Sequence, residues 1–394
     1  MSSESAGRFG LVGSGWRSQF FLRLARQLPE RLSVTGVVTR SAERGAEVES
    51  RWGVPAFRSV GEMLAAGRPE FVIPSVPWPV TPEVTKELVE LGVPVLAETP
   101  PAADLDGLRD LWTTVGSSGL VQVAEQYLHM PGHAARLALI REGVIGQVTS
   151  VQVSSTHLYH AVSMIRHMLG AGFEEATVSA RSFTAPLADP LTPDGWTGDA
   201  SPKMAATTIA TIGFASGMGL YDFTDNQWWN PLRTRRIVIR GSLGELVDDR
   251  AVRLADPSTP VESHLIRRQT GIDLNLEGFE LDHIGFDGRI VYRNEYKGAR
   301  FSEDDLAVVS LLCQMTAWVR GERGHRALLA GRRLPGPPDQ PGDRRVAAHL
   351  GRRHHHPRGL GTLTAPCGFR ECRGRRGRRP PGDGCRGCSP GSAS

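Results

Sequence analysis

The segment that begins at Gly13 combines two glycines and a small residue at the spacing that binds phosphates. The run Gly-Ser-Gly-Trp-Arg-Ser over residues 13–18 follows a short apolar stretch and opens a helical pattern. The first glycine allows a tight turn, the second lets a pyrophosphate approach the backbone, and the small Ser18 lets helix and strand pack closely. The helix N-terminus offers free N–H groups and a partial positive charge. We predict a dinucleotide site formed by Gly13, Ser14, Gly15, Trp16 and Arg17; the alternative is a glycine turn that binds nothing.

The residues after the second predicted strand indicate which of the two nicotinamide cofactors, NAD or NADP, the site favours. An NAD site usually has an acid at this place, where it binds the ribose hydroxyls. This chain has Thr39, Arg40 and Ser41 there, and an arginine flanked by hydroxyls suits a 2′-phosphate. Arg44, about one helical turn later, is placed to add a second contact. We predict NADP in preference to NAD; the alternative is that Arg40 is a solvated residue at a strand end.

These residues are positioned by an alternation of strands and helices over about residues 1–125. Short apolar runs predict strands at residues 9–12, 33–38, 71–76, 93–97 and 120–124. Helical spacing between them predicts helices that include residues 42–52, 82–91 and 105–115. Strands separated by helices form right-handed βαβ units. The pattern therefore predicts an α/β fold with a doubly wound parallel sheet covered on both faces.

The second half of the chain, residues 126–330, has a different pattern. Runs divided by Gly and Asp turns predict strands at residues 148–156, 206–214, 219–223, 236–240 and 289–293. Helices are predicted at residues 131–141, 161–169 and 304–319. This order predicts an α+β domain built on a mostly antiparallel open sheet.

Several motifs together resemble a known family. They are the loop at 13–18, Val76-Pro77-Trp78, the Val-Leu-Ala-Glu-Thr-Pro run at 95–100, the run at 139–146 and the Tyr-His-Ala-Val-Ser-Met-Ile-Arg run at 159–166. Over about residues 8–320 the chain is similar to the glucose–fructose oxidoreductase/inositol dehydrogenase (Gfo/Idh/MocA) family. The resemblance implies a Rossmann domain followed by a domain whose open sheet often forms a dimer or tetramer interface. It also implies oxidoreductase chemistry, commonly on sugars, cyclitols or their derivatives.

The chain departs from that family's motifs at two catalytic positions. The family's Glu-Lys-Pro motif has a lysine where this chain has Thr99, and its His-x-x-Asp motif has an acid where this chain has Ser163. Hydride transfer to or from a carbinol needs a proton partner near the oxygen. We predict that His160 supplies it, alone or helped by Tyr159, Tyr127 or another residue, with Thr99 as a hydrogen-bond donor; otherwise the standard reaction is not run here. The alternative for His160 is a structural or substrate-binding role.

Two glutamates end predicted parallel strands, where ligands of open α/β sheets bind. Glu98 is predicted to position the nicotinamide, beside Pro77 and Trp78. Glu125 is predicted to fix backbone or ribose geometry.

Two pairs of rings admit other interpretations. His157 and His160 are three residues apart, but no carboxylate or cysteine lies beside them in the sequence, so we predict no metal site. Trp228 and Trp229 lie in a predicted loop. Such rings stack on sugars or pack in a sheet or subunit contact.

The net charge of +4 is unevenly distributed. Residues 331–394 contain 14 arginines and four acids, whereas the first 330 residues contain 32 basic and 38 acidic residues. The mildly acidic body gives no reason to propose nucleic acid as a partner. The Arg-, Gly- and Pro-rich tail cannot bury a core and is predicted to be disordered. Because GC-rich codons read out of frame encode these residue types, we hypothesise a reading-frame artefact that begins between Gly321 and Pro335.

Location, partners and function are predicted from the whole chain. No apolar run reaches the roughly 18 residues of a membrane span, and residues 1–8 lack the apolar core of a signal peptide. Cys313 alone among the five cysteines precedes the tail, which fits a reducing compartment. We predict a cytoplasmic protein without a membrane partner, which forms a homodimer or homotetramer through its C-terminal sheet as the resemblance implies.

The leading hypothesis for the function is an NAD(P)-dependent oxidoreductase that acts on a small-molecule substrate, namely a sugar, cyclitol or related polyol or carbonyl compound, with atypical acid/base residues. One alternative is a cofactor-binding or regulatory protein with altered catalysis, because the usual lysine and aspartate are replaced. The other is a lyase or epimerase that oxidises its substrate transiently.

Overall fold

The computed structural model describes residues 5–192, 194–271 and 275–322. Within these ranges the helices are α1 Trp16–Gln27, α2 Ala42–Trp52, α3 Val60–Gly67, α4 Thr81–Glu90, α5 Leu105–Val115, α6 Pro131–Arg141, α7 Leu158–Leu169 and α8 Glu303–Val319. Short 3₁₀ turns lie at Gly116–Ser118 and Tyr127–His129.

The first sheet is parallel, as the sequence predicts. Its strands are β1 Gly7–Val12, β2 Leu32–Val38, β3 Ala56–Phe57, β4 Phe71–Pro74, β5 Val95–Ala97 and β6 Val121–Val123. They lie in the order β3-β2-β1-β4-β5-β6, each parallel to its neighbour. The prediction omitted β3 and α3; β3 has only two residues, too few to show a period.

The strand order creates a crevice at the middle of this sheet. The chain passes from β1 outward to β2 and β3 and then returns to pair β4 with the other side of β1. The loops after β1 and β4 therefore turn away to opposite faces, and a ligand can enter between them. This topological switch point positions the segment that begins at Gly13.

The second sheet is mixed and mostly antiparallel. Its eight strands lie in the order β16-β15-β14-β13-β7-β12-β11-β8, and β7 and β12 form its parallel pair. The strands are β7 Val148–Ser154, β8 Thr177–Ala188, β11 Pro202–Gly213, β12 Met218–Thr224, β13 Arg236–Gly241, β14 Gly244–Val247, β15 Arg250–Asp256 and β16 Thr259–His264. A hairpin of β9 Leu191–Thr192 and β10 Gly195–Trp196 and a three-stranded sheet of β17 Ile266–Thr270, β18 Glu280–Phe286 and β19 Arg289–Arg293 accompany it.

Several of these strands were not predicted from the sequence, and they share one property. Nearly every residue of β8 is at least partly exposed, and most of β16 and β17 is exposed as well. A strand with both faces open shows no alternation of apolar and polar residues. The α+β character was predicted correctly, whereas the number of strands was not.

One face of the second sheet packs on α7, and this packing positions the first turn of that helix at the cavity described below. Met164 and Ile165 are fully buried on the helix, and Gly219 of β12 lets Ile165 approach the sheet backbone. The helix begins at Leu158, three residues before the predicted start, with a positive φ of 36°. The N–H of Leu158 donates to the Tyr221 hydroxyl at 3.1 Å, which takes the place of a side-chain cap.

The last described helix, α8, returns to the first sheet. Its start has a capping box, in which Ser302 and Asp305 each bond the other's backbone N–H.

Within the described ranges, no helix combines the length and the apolar character needed to cross a membrane. The predicted disordered tail, residues 331–394, lies outside the described residues, and the division of the chain into domains stays a prediction.

Candidate functional site

A cavity of about 1550 Å³ follows the carboxyl ends of the parallel strands and reaches the start of α7. It brings together most of the residues predicted from the sequence: Gly13, Ser14, Gly15, Trp16, Arg17, Thr39, Arg40, Pro77, Trp78, Glu98, Thr99, Tyr159 and His160. Ser41 and Tyr127 lie outside its lining. The cavity has one end near β2, a middle formed by the loop after β1, and one end near β6 and α7.

The loop after β1 has the backbone geometry that phosphate binding requires. Gly13 has a φ of +107°, and a Cβ at this position would overlap the carbonyl oxygen of Ser75. A Cβ on Gly15, in contrast, would meet no protein atom within 4 Å. Ser18 is fully buried, and its hydroxyl donates to the Gly13 carbonyl at 2.8 Å. Gly13 is therefore required by the turn itself, whereas Gly15 leaves space on the cavity side.

The N-terminus of α1 fits a dinucleotide pyrophosphate. Gly15 is its N-cap, no side chain caps it, and the first turn contains no acid. Free N–H groups at such an end bind anions. Arg17 does not add an unpaired charge, because its Nε lies 2.7 Å from Glu98 Oε1. This ion pair joins two predicted site residues and fixes Glu98 at the end of β5.

The end near β2 is rich in arginine. Arg40, Arg44, Arg51 and Arg58 line it, and Glu47 is the acid among them. Glu47 pairs with Arg44 at 2.7 Å, while the guanidinium of Arg40 forms no ion pair with the described part of the chain.

Arg58 was not predicted as a site residue. Its guanidinium donates to the Thr39 carbonyl at 2.6 Å and to the Arg40 carbonyl, so it shapes the turn after β2. It follows the two-residue strand β3, whose lack of pattern explains why the sequence did not reveal it.

The hydroxyls of Thr39 and Ser41 have structural partners. Thr39 is 3% exposed, and its hydroxyl donates to the Ser41 carbonyl. The Ser41 side chain accepts from the N–H of Arg44 and caps α2. Both hydroxyls thus shape the turn that presents Arg40.

At the opposite end, His160 forms a buried pair with Glu125. Nδ1 of His160 lies 2.6 Å from Glu125 Oε2, and the two side chains are 8% and 4% exposed. A carboxylate only accepts hydrogen bonds, so Nδ1 carries the proton and Nε2 is left for the cavity. Glu125 also accepts from the N–H of Tyr127 at 3.1 Å. It therefore fixes backbone geometry as predicted, and it also orients His160, which was not predicted.

Aromatic rings hold His160 in place. The rings of Tyr127, Tyr159 and His157 lie with centroids 4.5, 4.4 and 5.0 Å from that of His160. Burial raises the pKa of Tyr127 and of Tyr159, so both phenols stay protonated near neutral pH. The Tyr159 hydroxyl points to the Thr99 carbonyl at 3.5 Å. The phenols are thus suited to donate hydrogen bonds rather than to accept a proton.

Thr99 and Ser163, the two residues that depart from the family's motifs, lie in different surroundings. Thr99 lies on the cavity wall at the end of β5. Ser163 lies one turn further along α7, where its hydroxyl is buried without a hydrogen-bond partner among the described residues. The carboxylate that pairs with His160 thus comes from the end of β6 and not from α7.

Comparison with known proteins identifies the first sheet domain. Residues 7–126 match the model of an oxidoreductase family with an NAD-binding Rossmann fold, Gfo/Idh/MocA. This domain belongs to the Gfo/Idh/MocA family. The resemblance predicted from the sequence is confirmed. No curated protein is significantly similar to the chain in sequence.

Solved structures share the fold over most of the chain. Levoglucosan dehydrogenase, solved with NADH and levoglucosan, is 18% identical with a TM-score of 0.55 over 81% of this chain and 91% of that one. A myo-inositol dehydrogenase from Corynebacterium glutamicum is 16% identical, with a TM-score of 0.52 over 80% and 89%. An oxidoreductase from Agrobacterium radiobacter, solved with NAD+, L-tartaric acid and magnesium, is 14% identical, with a TM-score of 0.52 over 80% and 88%. At these identities the likeness shows the fold.

Proposed function

We propose that the protein is an NADP(H)-dependent oxidoreductase that transfers a hydride between the nicotinamide and a carbinol or carbonyl group of a sugar, cyclitol or related polyol. The observation that carries the proposal is His160, which lines the same cavity as the phosphate loop and is paired behind it with the buried Glu125. A buried, oriented imidazole is the proton partner that carbinol oxidation needs. A cofactor-binding protein without catalysis would have no use for it.

The chain's residues provide the proton step. When NADP+ is bound, it supplies the hydride acceptor. As the hydride left the carbinol carbon for that acceptor, the O–H proton would pass to Nε2 of His160. Glu125 stabilises the resulting imidazolium through Nδ1–H, as a carboxylate does beside a catalytic histidine. In the reducing direction the same Nε2–H returns the proton to the new alkoxide. Thr99 and Tyr159 provide neutral hydrogen-bonding groups nearby.

The arginines near β2 support NADP over NAD. Arg40 and Arg58 present positive charge where the adenosine ribose of a dinucleotide lies in this fold. The residues at the end of β2 are Thr39, Arg40 and Ser41, none of which is acidic. Glu47, the acid in this part of the cavity lining, is paired with Arg44. A 2′-phosphate would find there the planar donor groups that suit it.

Arg40→Ala is expected to weaken NADPH binding roughly 10- to 100-fold and to change NADH binding little, because a hydrogen bond to a charged group contributes about 1.5–3 kcal/mol. Fluorescence titration of the purified protein with each reduced cofactor measures this. Arg26→Ala, an exposed arginine at the end of α1 outside the cavity lining, is the matched control. Equal affinity of the unaltered protein for NADH and NADPH would refute the preference for NADP.

The oxidoreductase activity itself is tested with a polyol panel. Appearance of reduced nicotinamide is followed with NADP+ and each of myo-inositol, D-glucose and related polyols. Tight NADPH binding without turnover of any panel member would argue for the regulatory alternative. Turnover without net cofactor reduction would indicate a lyase or epimerase.

We also propose that the open face of the second sheet, opposite α7, binds a second copy of the chain. Phe183 and Ile209 are 47% and 48% exposed, and the register of β8 with β11 puts them on the same face. Exposed apolar residues clustered on one face are typical of interfaces. Substituting both Phe183→Glu and Ile209→Glu is expected to reduce the mass seen by light scattering to one chain. Ile290→Glu, at a site 45% exposed on β19, is the control; a wild-type mass of one chain would contradict the proposal.

A further inference from the structure

The first residue of α7 has a strained backbone. Leu158 has a φ of 36°, in the left-handed region, where a side chain crowds its own backbone. The leucine side chain is 58% exposed, so its burial does not offset the strain. Its neighbours His157 and Tyr159 line the cavity, as does the candidate proton partner His160. Strained residues of this kind persist where surrounding contacts hold them, and they cluster at functional sites.

A buried tyrosine of the second sheet holds this turn. The N–H of Leu158 donates to the Tyr221 hydroxyl oxygen at 3.1 Å, across 63 residues of sequence. The N-cap residue, His157, provides no side-chain bond, so the tyrosine serves as the cap of the helix. Burial raises the pKa of Tyr221, so the phenol stays protonated near neutral pH. Tyr221 lies outside the cavity lining, and it therefore acts on the site through the turn.

Tyr221 is itself held firmly in the sheet. It is 6% exposed, and its strand β12 is flanked by β7 and β11. Its ring stacks on Phe223, with centroids 6.3 Å apart and an interplanar angle of 18°. Phe223 packs on Trp228 at 4.8 Å, and Trp228 packs edge-on against His157 at 4.7 Å. These contacts fix the Tyr221 hydroxyl relative to the start of α7. They also show that Trp228 packs internally, one of the two roles that the sequence left open.

The turn at Leu158 determines where the backbone of His160 lies. The N–H of His160 donates to the His157 carbonyl at 3.1 Å, so the residues on either side of the turn are joined. Glu125 holds the imidazole itself, at 2.6 Å from Nδ1. The carboxylate thus fixes the tautomer, whereas the turn fixes how far Nε2 lies from a ligand in the cavity. A misplacement of about 1 Å can lower the rate of an enzyme by about 10²-fold.

We propose that Tyr221 is a positioning residue for the proton step. By accepting the N–H of Leu158 it keeps the strained turn that presents Nε2 of His160 to the carbinol. This inference rests on the proposed oxidoreductase function. Because Tyr221 lies outside the cavity, its loss leaves NADPH binding intact and slows the reaction. A tyrosine that merely filled the sheet core would be replaceable by phenylalanine without an effect on the reaction.

The test removes the Tyr221 hydroxyl and keeps its ring. In Tyr221→Phe we expect kcat, for the polyol that the unaltered protein turns over fastest, to fall about 10- to 100-fold with unchanged affinity for NADPH. Tyr296→Phe is the matched control, because Tyr296 is another buried tyrosine, its hydroxyl bonds to Cys313 and it lies outside the cavity lining. Both variants are expected to lose some thermal stability, and Tyr296→Phe is expected to keep its kcat.

Two further readouts distinguish positioning from a general loss of structure. Nitrogen NMR of the labelled His160 imidazole is expected to show a shifted resonance in Tyr221→Phe with the proton still on Nδ1, because Glu125 is unaltered. Glycine adopts a positive φ without strain, so adding Leu158→Gly to Tyr221→Phe is expected to raise kcat again by about 5- to 10-fold.

The outcomes separate the role of Tyr221 from the function on which it rests. An imidazole resonance that does not move in Tyr221→Phe would overturn the positioning role and leave the oxidoreductase intact. The same would follow from a fall in kcat no larger than that of Tyr296→Phe, or from no recovery with Leu158→Gly. Absence of turnover with every polyol by the unaltered protein, with NADPH binding retained, would instead reject the oxidoreductase and the role of Tyr221 together.

Discussion

Replacing Glu125 by glutamine is expected to lower kcat about 10²- to 10⁴-fold, because an amide beside a catalytic histidine permits the wrong tautomer. The Glu125 carboxylate accepts from Nδ1 of His160 at 2.6 Å and is 4% exposed. An amide can donate to Nδ1 instead, which moves the imidazole proton to Nε2. Nε2 then cannot accept the carbinol proton. His160→Asn is expected to cause a loss of similar size.

Two measurements distinguish this effect from a loss of fold. NADPH titration is expected to be unchanged, since neither residue touches the phosphate loop. Nitrogen NMR of the labelled imidazole is expected to show the proton on Nδ1 in the unaltered protein and on Nε2 in the glutamine variant. Glu70→Gln is the control, because Glu70 is a partly buried glutamate whose ion pair with Arg320, at 2.7 Å, lies outside the cavity lining. An unchanged tautomer with a large loss of kcat would contradict the assigned role of Glu125.

Two glycine substitutions in the phosphate loop are expected to abolish cofactor binding by different routes. Gly13→Ala puts a Cβ into the Ser75 carbonyl and forces an L residue to a φ of +107°. Backbone strain of this kind costs about 1–3 kcal/mol before the clash is counted. The variant is expected to lose stability as well as NADPH binding. Gly15→Ala has a φ of −70° and open space at the Cβ, so it is expected to lose binding and keep its stability.

Thermal unfolding and NADPH titration of both variants measure these effects. Gly53→Ala is the control for φ alone, because Gly53 caps α2 at a φ of 69° with no atom within 4 Å of a Cβ. It is expected to lose some stability and retain full NADPH affinity. Normal NADPH binding by Gly15→Ala would show that the pyrophosphate does not approach this backbone.

The sequence alone determined the parts of the protein that depend on local rules. The segment from Gly13 to Ser18, the parallel sheet and α2 follow from glycine spacing and hydrophobic period, which act over a few residues. The predicted bounds of α2, residues 42–52, agree with the structure. His160 was predicted as a candidate from a motif, and the structure places it on the cavity wall.

The tertiary structure decided which groups meet across large sequence distances. Glu125 and His160 are 35 residues apart, and Arg58 reaches the turn at Thr39 from a strand too short to predict. The exposed strand β8 likewise has no periodic signal, since neither of its faces is buried. The spacing of apolar residues along the sequence indicates which faces are buried. It does not indicate which polar side chains come together in the folded protein. Polar pairing of this kind depends on where the strand ends meet, and that is fixed by the packing of α7 against both the second sheet and the 3₁₀ turn that follows β6.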